Sequence, residues 1–122
     1  MTDPAFVPAP LKPTISLEEL DRVDLRVGTV ETVEDVAKSD KLVRLTVNLG
    51  DHMRTILVGM KAERANPAEI IGRQVLVVAN LEPRRMMGEL SEGMLFDIGF
   101  ADAVTPVLAV PETPVSNGTR AG

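Results

Sequence analysis

Apolar and polar residues alternate along much of this chain with a period of two, which predicts a small domain built from β-strands. The five predicted strands cover residues 25–33, 42–49, 54–58, 74–79 and 94–98. Gly50-Asp51 predicts a hairpin turn between the second and third strands. The fourth strand is almost continuously apolar, so we expect it to be central, with both faces covered.

The first strand is the longest, and its pattern contains an interruption. Residues 25, 27, 29, 31 and 33 are expected on one face, with residues 26, 28, 30 and 32 on the other. Gly28 falls inside the strand, which indicates a bend, a β-bulge or the close approach of another backbone. A strand that bends sharply can serve two sheets of a small barrel. In the second strand, Leu45, Val47 and Leu49 are expected to share one face.

Two helical segments interrupt this β pattern. Ser16 and Glu19 have the spacing of a capping box, which predicts a short helix from Leu17 to Arg22. Residues 61–65 and 67–70 predict a short helical crossover between the third and fourth strands.

The two ends of the chain differ from its middle. Four prolines among residues 1–14 prevent a helix interior and predict an extended N-terminal arm. Residues 15–100 form the predicted domain, and residues 101–122 a C-terminal extension in which 104–110 predict a further strand. Residues 1–20 and 100–122 are apolar and acidic, so these terminal segments are the expected interface of a homodimer.

Composition excludes several classes of site. The 122 residues suffice for one small domain, and 44% of them are hydrophobic, which is enough to build a core. Cysteine is absent and His52 is the sole histidine, so neither a disulfide framework nor a thiolate or histidine-rich metal site is expected. No segment has the pattern of a signal peptide or a membrane span, so we expect a soluble, cytoplasmic protein without a cofactor.

No constellation of residues indicates catalysis. None of the four serines lies in a nucleophile elbow, and the glycines form neither a P-loop nor a dinucleotide motif. His52 lies beside the predicted turn, where a solvated loop residue is expected. The sequence therefore predicts a binding protein.

Charge is unevenly distributed. The net charge is -5, which argues against general affinity for nucleic acid. Residues 1–37 carry a balance of -5 and residues 89–122 a balance of -4, whereas residues 38–88 carry +4. Such a basic central block can hold phosphate even on an acidic protein, although scattered surface charge is the simpler interpretation.

A series of short motifs runs through the same region. The motifs are Asp24-Leu25-Arg26-Val27-Gly28, Ser39-Asp40-Lys41-Leu42, Ile56-Leu57-Val58-Gly59, Gly72-Arg73-Gln74-Val75, Val78-Ala79-Asn80-Leu81, Pro83-Arg84-Arg85 and Ser91-Glu92-Gly93-Met94-Leu95. Their order and spacing resemble the tRNA-binding OB-fold domain at the C-terminus of many methionyl-tRNA synthetases. That domain also occurs as stand-alone dimeric tRNA-binding proteins and as CsaA-type export chaperones.

The resemblance covers about residues 15–120 and implies an all-β, five-stranded OB-fold barrel. A short N-terminal helix, a helical insert between the third and fourth strands and a C-terminal extension complete the implied fold, and the strand pattern matches that outline. The implied partners are tRNA, a second copy of the chain and an aminoacyl-tRNA synthetase. The chain is too short to contain a synthetase catalytic domain, so only an auxiliary role in aminoacylation is expected.

The candidate tRNA-contact residues are Lys41, Asn80, Arg84, Arg85, Ser91 and Met94, with Arg26 as a secondary candidate. Arginines supply forked donors for phosphates and flat faces for bases. An asparagine amide can bind a base edge, a hydroxyl can bind phosphate or 2′-OH, and a methionine can pack on an exposed base. The loop after the fourth strand of an OB-fold borders the nucleic-acid groove, and the predicted loop at Pro83-Arg84-Arg85 occupies that place.

Every candidate also has a purely structural interpretation. The alternatives are a strand-end cap for Asn80, a solvated loop for Arg84 and Arg85, a turn for Ser91, a core position for Met94, a surface charge for Lys41 and an ion pair for Arg26.

Two features keep the function open. Single-strand OB binders stack bases on aromatic side chains, but this chain has no Trp or Tyr and only three Phe. Phe6 lies in the arm, and Phe96 and Phe100 are expected in the core or an interface, which favours folded tRNA over a bare strand. Ser91-Glu92 is also found in the CsaA-type branch, and Met86, Met87 and Met94 would give an adaptable apolar surface. A chaperone that binds unfolded polypeptides therefore stays an alternative to tRNA binding, as does a protein–protein module that docks on a synthetase.

Overall fold

The N-terminal part contains the one α-helix of the described region, which elsewhere has three short 3-10 helices. The computed structural model describes residues 4–122, so the first three residues of the predicted arm lie outside it. Helix α1 covers Leu17–Leu20. The capping box is confirmed, since Ser16 Oγ accepts the Glu19 amide at 3.1 Å and Glu19 Oε1 accepts the Ser16 amide at 3.2 Å. The helix ends two residues earlier than expected.

Within residues 4–122 the chain forms ten short strands. They are β1 (Leu25–Asp35), β2 (Val43–Asn48), β3 (Met53–Val58), β4 (Gln74–Val78), β5 (Arg84–Met86), β6 (Glu89–Ser91), β7 (Met94–Leu95), β8 (Asp97–Ile98), β9 (Val107–Leu108) and β10 (Arg120–Ala121). The main sheet is antiparallel, in the order β3-β2-β1-β4-β7, with β10 also paired to β1. The sheet curls into an OB-fold-like barrel, which confirms the predicted fold class.

Strand β1 joins the two halves of this sheet. Its first half pairs with β4, from Leu25 opposite Val78 to Thr29 opposite Gln74. Its second half pairs with β2, from Thr29 opposite Asn48 onward. A single curved strand thus serves both halves, as the interruption in its pattern indicated.

The predicted faces of β1 hold only up to a β-bulge. Pairing passes from Val30 opposite Val47 to Thr32 opposite Thr46, so Glu31 has no opposite residue in β2. The extra residue shifts the alternation by one. Val30 therefore points into the core and Val33 packs against it, although simple alternation placed them on opposite faces.

The core lies inside the curled sheet. Its fully buried side chains are Val30, Leu45, Val47, Ile56, Ile70, Val75 and Val77. Leu45, Val47 and Leu49 all face inward, as predicted for the second strand. A smaller cluster of Val36, Leu42 and Leu57 lies beside it, with Met86 packed against it.

Several predicted elements are shorter or differently built. The crossover between β3 and β4 consists of two 3-10 turns, Met60–Ala62 and Pro67–Ile70. The predicted fifth strand is divided, because Met94–Leu95 pairs with β4 whereas Asp97–Ile98 pairs with β9. Only Val107–Leu108 of the predicted 104–110 strand is regular. Strands this short leave too few alternating positions for a pattern to define their ends.

The C-terminal extension is fastened to the sheet. The Val27 amide donates to the Thr119 carbonyl at 2.9 Å, and the Gly118 amide donates to the Val27 carbonyl at 2.7 Å. Asn117 Oδ1 accepts Thr29 Oγ1 at 2.8 Å and Gln74 Nε2 at 3.1 Å. The extension therefore covers the free edge of the first half of β1.

Gly28 supplies a close backbone approach. A Cβ atom at this position would lie 2.6 Å from Val47 Cγ1, 2.8 Å from Leu49 Cδ2 and 3.0 Å from the Asn48 carbonyl. Glycine at position 28 therefore allows the backbones of β1 and β2 to pack this closely.

We expect Gly28→Ala to lower the free energy of unfolding by about 1–3 kcal/mol, because the added methyl group overpacks the core. Urea denaturation measures the change. Gly59→Ala is the matched control, since no atom lies within 4 Å of a Cβ at that position. Equal stability of the two variants would show that the approach at Gly28 can relax.

Candidate nucleic-acid interface

A wide groove of about 1190 Å³ crosses one side of the barrel. The loop between β1 and β2, the β5–β6 hairpin and the β8–β9 region line it. Five of the seven predicted contact residues border this groove, namely Lys41, Arg84, Arg85, Ser91 and Met94. Asn80 and Arg26 lie outside it.

Lys41 lies at the end of the loop between β1 and β2, and its side chain is exposed. Ser39 Oγ shapes this loop by accepting the amides of Lys41 at 3.1 Å and Leu42 at 3.0 Å. Lys61 stabilises the same loop. Its Nζ donates to the carbonyls of Val36 at 3.1 Å and Ser39 at 2.7 Å, and it forms an ion pair with Asp35. One lysine thus orders the loop, and the other is presented at the groove.

Arg84 and Arg85 belong to a hairpin, and the simple loop predicted for them is not what the structure contains. Strand β5 pairs with β6, from Arg84 opposite Ser91 to Met86 opposite Glu89. The turn residues Met87 and Gly88 have φ values of 52° and 81°, which is the geometry of a type I′ turn.

The two arginines point to opposite faces of the hairpin, because successive side chains alternate along a strand. Arg84 shares the barrel-side face with Met86, and Arg85 shares the outer face with Leu90. Both arginines are exposed. Among residues 4–122, neither guanidinium has a hydrogen bond or ion pair. They remain available for ligands, although not as one flat pair.

Ser91 is 4% exposed and does not present its hydroxyl to the groove. Its Oγ accepts the Leu57 amide at 3.0 Å and donates to the Gly93 carbonyl at 3.2 Å. Leu57 lies on β3, the edge strand of the curled sheet. The hydroxyl therefore satisfies a backbone donor on that edge.

Glu92 continues the same bridge. Its amide donates to the Thr55 carbonyl at 2.7 Å, and its Oε1 accepts the Thr55 amide at 3.1 Å. Arg54 Nη1 donates to the carbonyls of Ala79 at 2.8 Å and Glu92 at 3.0 Å. Ser91 and Glu92 together close the barrel against β3.

Methionines supply much of the apolar surface of the groove. Met94 is 45% exposed and Met87 is 52% exposed, so both can contact a ligand. Met86 was expected to be exposed as well, but it packs against the cluster of Val36, Leu42 and Leu57. The flexible thioether side chains of the first two fit irregular partners.

Asn80 has a different position from the one its motif suggested. Its Oδ1 accepts the Asp24 amide at 2.8 Å, and its Nδ2 donates to the Arg22 carbonyl at 2.6 Å. Both functional atoms of the side chain thus tie the end of β4 to the segment before β1.

Arg26 is engaged in an ion pair. Its Nε and Nη2 donate to the two carboxylate oxygens of Asp24 at 2.9 and 3.1 Å. This hydrogen bonding lowers the pKa of Asp24, against a smaller opposing effect of burial. The structural interpretation of Arg26 therefore describes its geometry best.

Acidic residues also reach the groove. Burial, followed by the charge of Asp97, raises the pKa of Glu63, and Arg64 is paired with Glu69 at 2.6 Å. The groove therefore combines an apolar floor with local charges of both signs.

Residues 4–122 contain no helix that is both long and apolar enough to cross a bilayer. The same part of the chain has no cluster of three or more His, Cys, Asp or Glu side chains arranged to bind a metal ion.

Four further side chains position the groove and were not predicted from the sequence, namely Lys61, Arg44, Glu89 and Arg54. Lys61 and Arg54 act through backbone carbonyls, and such contacts leave no sequence signal. Arg44 contacts Glu89, 45 residues away. A signal for this contact did exist: Met87-Gly88 lies between two short segments, and its recognition as a hairpin turn would have placed Glu89 beside Met86.

Comparisons with known proteins agree with this geometry. Residues 25–120 match the family model "Putative tRNA binding domain". The methionine–tRNA ligase of Chlorobium chlorochromatii is 48% identical over 91 residues, which are 75% of this chain and 13% of the ligase. This chain spans about an eighth of the length of such ligases.

Solved structures extend the similarity to the whole fold. A MetRS-related protein from Pyrococcus horikoshii has a TM-score of 0.82 and 28% identity, over 91% of this chain and 100% of that protein. The chaperone CsaA from Bacillus anthracis has a TM-score of 0.78 and 29% identity, over 90% of this chain and 100% of its own. The matched domain is a binding domain without catalytic function.

We expect Ser91→Ala to lower the free energy of unfolding by about 1–3 kcal/mol, because the buried Leu57 amide loses its acceptor. Urea denaturation followed by far-UV circular dichroism measures the loss. Ser116→Ala is the control, since Ser116 is exposed and its hydroxyl has no hydrogen bond within residues 4–122. A Ser91→Ala protein as stable as the control would mean that water replaces the hydroxyl without cost.

Proposed function

We propose that this chain, which belongs to the tRNA-binding domain family, binds folded tRNA in the groove between the β1–β2 loop and the β5–β6 hairpin. The observation that carries the proposal is the set of cations at the rim. Lys41, Arg84 and Arg85 are exposed, border one groove and have no ion-pair partner among the residues that the structure describes.

The cations support binding of phosphate in particular. A charge that is already paired must lose its partner before it meets a ligand, whereas an unpaired cation releases only counterions and water. The net charge of -5 disfavours indiscriminate binding to nucleic acid, so contact is confined to the basic rim. This distribution favours a ligand whose phosphates match the spacing of the loop and the hairpin.

The rest of the groove supports a folded RNA. Met87 and Met94 can pack on exposed bases, and Phe100, which is 72% exposed, is the single aromatic side chain of the groove in the described residues. A series of stacking aromatics, as single-strand binders use, is not present there. Shape and phosphate contacts are the usual means by which proteins recognise structured RNA.

Three of the predicted contact residues take a supporting role in this proposal. Ser91 closes the barrel, Asn80 ties β4 to the segment before β1, and Arg26 is paired with Asp24. Their side chains hold the groove in place, and contact with tRNA falls to Lys41, Arg84, Arg85 and Met94.

The similarity to methionine–tRNA ligases suggests where such binding would be used. We propose that the domain increases the local concentration of tRNA for an aminoacyl-tRNA synthetase in the cytoplasm. Catalysis would then reside in the synthetase, and this domain would supply only affinity.

Binding of unfolded polypeptide is the second candidate function. The apolar floor with Met87 and Met94 fits an extended apolar segment, and CsaA is among the structural neighbours. Both functions would use the same groove, so a polypeptide and a tRNA should compete for it.

Exposed apolar side chains in residues 4–20 support self-association of the chain. Val7, Leu11, Ile15 and Leu17 are between 56% and 100% exposed, and helix α1 buries no residue. Apolar side chains presented on an isolated chain mark an interaction surface. We propose that residues 1–20 and 100–122 pack against a second copy of the chain.

The double variant Arg84→Ala/Arg85→Ala should bind total tRNA about tenfold more weakly, because two phosphate contacts are lost. The slope of log affinity against log salt should become shallower by about 1.5. Filter binding at several salt concentrations measures both quantities.

Arg22→Ala/Arg73→Ala is the matched control, since it removes two exposed arginines that do not border the groove. The proposal fails if both double variants lose the same affinity, or if the unaltered chain shows no preference for tRNA over a single-stranded oligonucleotide. If the chain suppresses aggregation of a denatured protein and added tRNA does not reduce this effect, the result would favour binding of polypeptide.

Light scattering on a size-exclusion column should give a dimer, and Leu11→Glu/Leu17→Glu should shift it to the monomer, because charges would enter an apolar interface. The same change at Met53 and Ile71, which are exposed outside the terminal segments, is the control. A monomeric unaltered chain at micromolar concentration would overturn the proposed interface.

A further inference from the structure

The β5–β6 hairpin is a separate two-stranded sheet that forms no strand ladder with the main sheet, and at its base Ser91 Oγ accepts the Leu57 amide of β3. An isolated hairpin of this size has little stability of its own. Its turn adds strain, because Met87 is a non-glycine residue at positive φ. Side-chain contacts must therefore fix where the hairpin sits and where its arginines point.

Two contacts hold the tip of the hairpin. One is the packing of Met86 on the cluster of Val36, Leu42 and Leu57. The other is a bidentate ion pair in which Arg44 Nε and Nη2 of β2 donate to the carboxylate of Glu89 at 2.5 and 2.8 Å. The packing resists sliding only weakly because methionine is flexible, whereas a bidentate pair defines both distance and angle.

The surroundings of the Arg44–Glu89 ion pair support a role in positioning the hairpin. Both side chains are 29% exposed, and Arg44 also lies 3.6 Å from Glu34 on β1. Hydrogen bonding to Arg44 lowers the pKa of Glu89, so the carboxylate stays charged at neutral pH. Glu89 lies on β6, four residues from Arg85 and five from Arg84, the two proposed tRNA ligands on the partner strand β5.

We propose that the Arg44–Glu89 pair is a clamp that positions the basic hairpin, and that neither residue contacts the tRNA itself. This inference rests on the proposed function. It makes Arg44 a positioning residue, although its charge and location would otherwise suggest a direct phosphate contact.

The charge-reversal variant Glu89→Arg separates positioning from simple attraction. It replaces a negative with a positive charge and so raises the net charge beside the groove by two, and attraction alone would therefore strengthen tRNA binding. A clamp predicts a loss of affinity instead. Two arginines at positions 44 and 89 repel each other and release the hairpin, so tRNA affinity falls by about fivefold. The matched control Glu112→Arg makes the same charge change at an exposed residue outside the groove, and it should leave affinity equal or higher.

Reversal of both partners completes the test. Arg44→Glu should also weaken binding, and Arg44→Glu/Glu89→Arg should restore most of the affinity, because the pair is re-formed in the opposite sense. Native-state hydrogen exchange of residues 85–90 gives a readout that needs no RNA. Exchange should be faster in each single variant and should slow again in the double variant. Glu89→Gln provides a milder change of the same direction if a reversal fails to fold.

The outcomes distinguish this inference from the function on which it rests. Tighter binding by Glu89→Arg with unchanged exchange, or no rescue by the double variant, would overturn the clamp. If the unaltered chain does not bind tRNA, the proposed function fails, and the exchange rates of the single and double variants still decide whether the pair holds the hairpin.

Discussion

Closure of the curled sheet against β3 is the constraint on which the rest of this structure depends. The edge of β3 presents backbone groups that no full-length strand covers, and unpaired backbone groups are costly. Ser91 and Glu92 satisfy this edge with a hydroxyl, a carboxylate and an amide, and Arg54 adds bonds to two carbonyls. Ser91 and Glu92 also connect the β5–β6 hairpin to β7. Closure of the barrel therefore determines where the hairpin, and with it the groove, lies.

Basic side chains divide into two groups according to their partners. Arg26, Arg44, Arg54 and Lys61 bind carboxylates or carbonyls within the domain. Lys41, Arg84 and Arg85 have no such partners within residues 4–122. The paired cations hold loops and strands in place. The unpaired cations at the rim of the groove therefore do not have to stabilise the fold.

This division also explains how an acidic protein can offer a local site for an anion. The paired cations are offset by nearby carboxylates, so their charge contributes little at a distance. At the groove, the field is therefore determined by the unpaired cations together with the carboxylates of Glu63 and Asp97. The apolar floor between them can contact RNA bases and polypeptide side chains alike.

Local patterns in the sequence determined the local structure. The capping box at Ser16, the alternation in β2 and the apolar run of β4 each involve neighbours along the chain, and each was predicted correctly. The motif order also indicated the family. Gly28 was recognised as unusual, but only the register with β2 distinguished close approach from a bulge, which lies at Glu31 instead.

Tertiary structure alone decided what the candidate residues do. Asn80 binds backbone 56 and 58 residues away, and Ser91 binds an amide 34 residues away, so neither contact leaves a mark in the local sequence. The hairpin at Arg84–Ser91 was missed because three-residue strands carry too little alternation to be detected. Residue types thus determined which chemistry was available, and long-range strand pairing decided which atoms were committed to the fold and which were left free for a ligand.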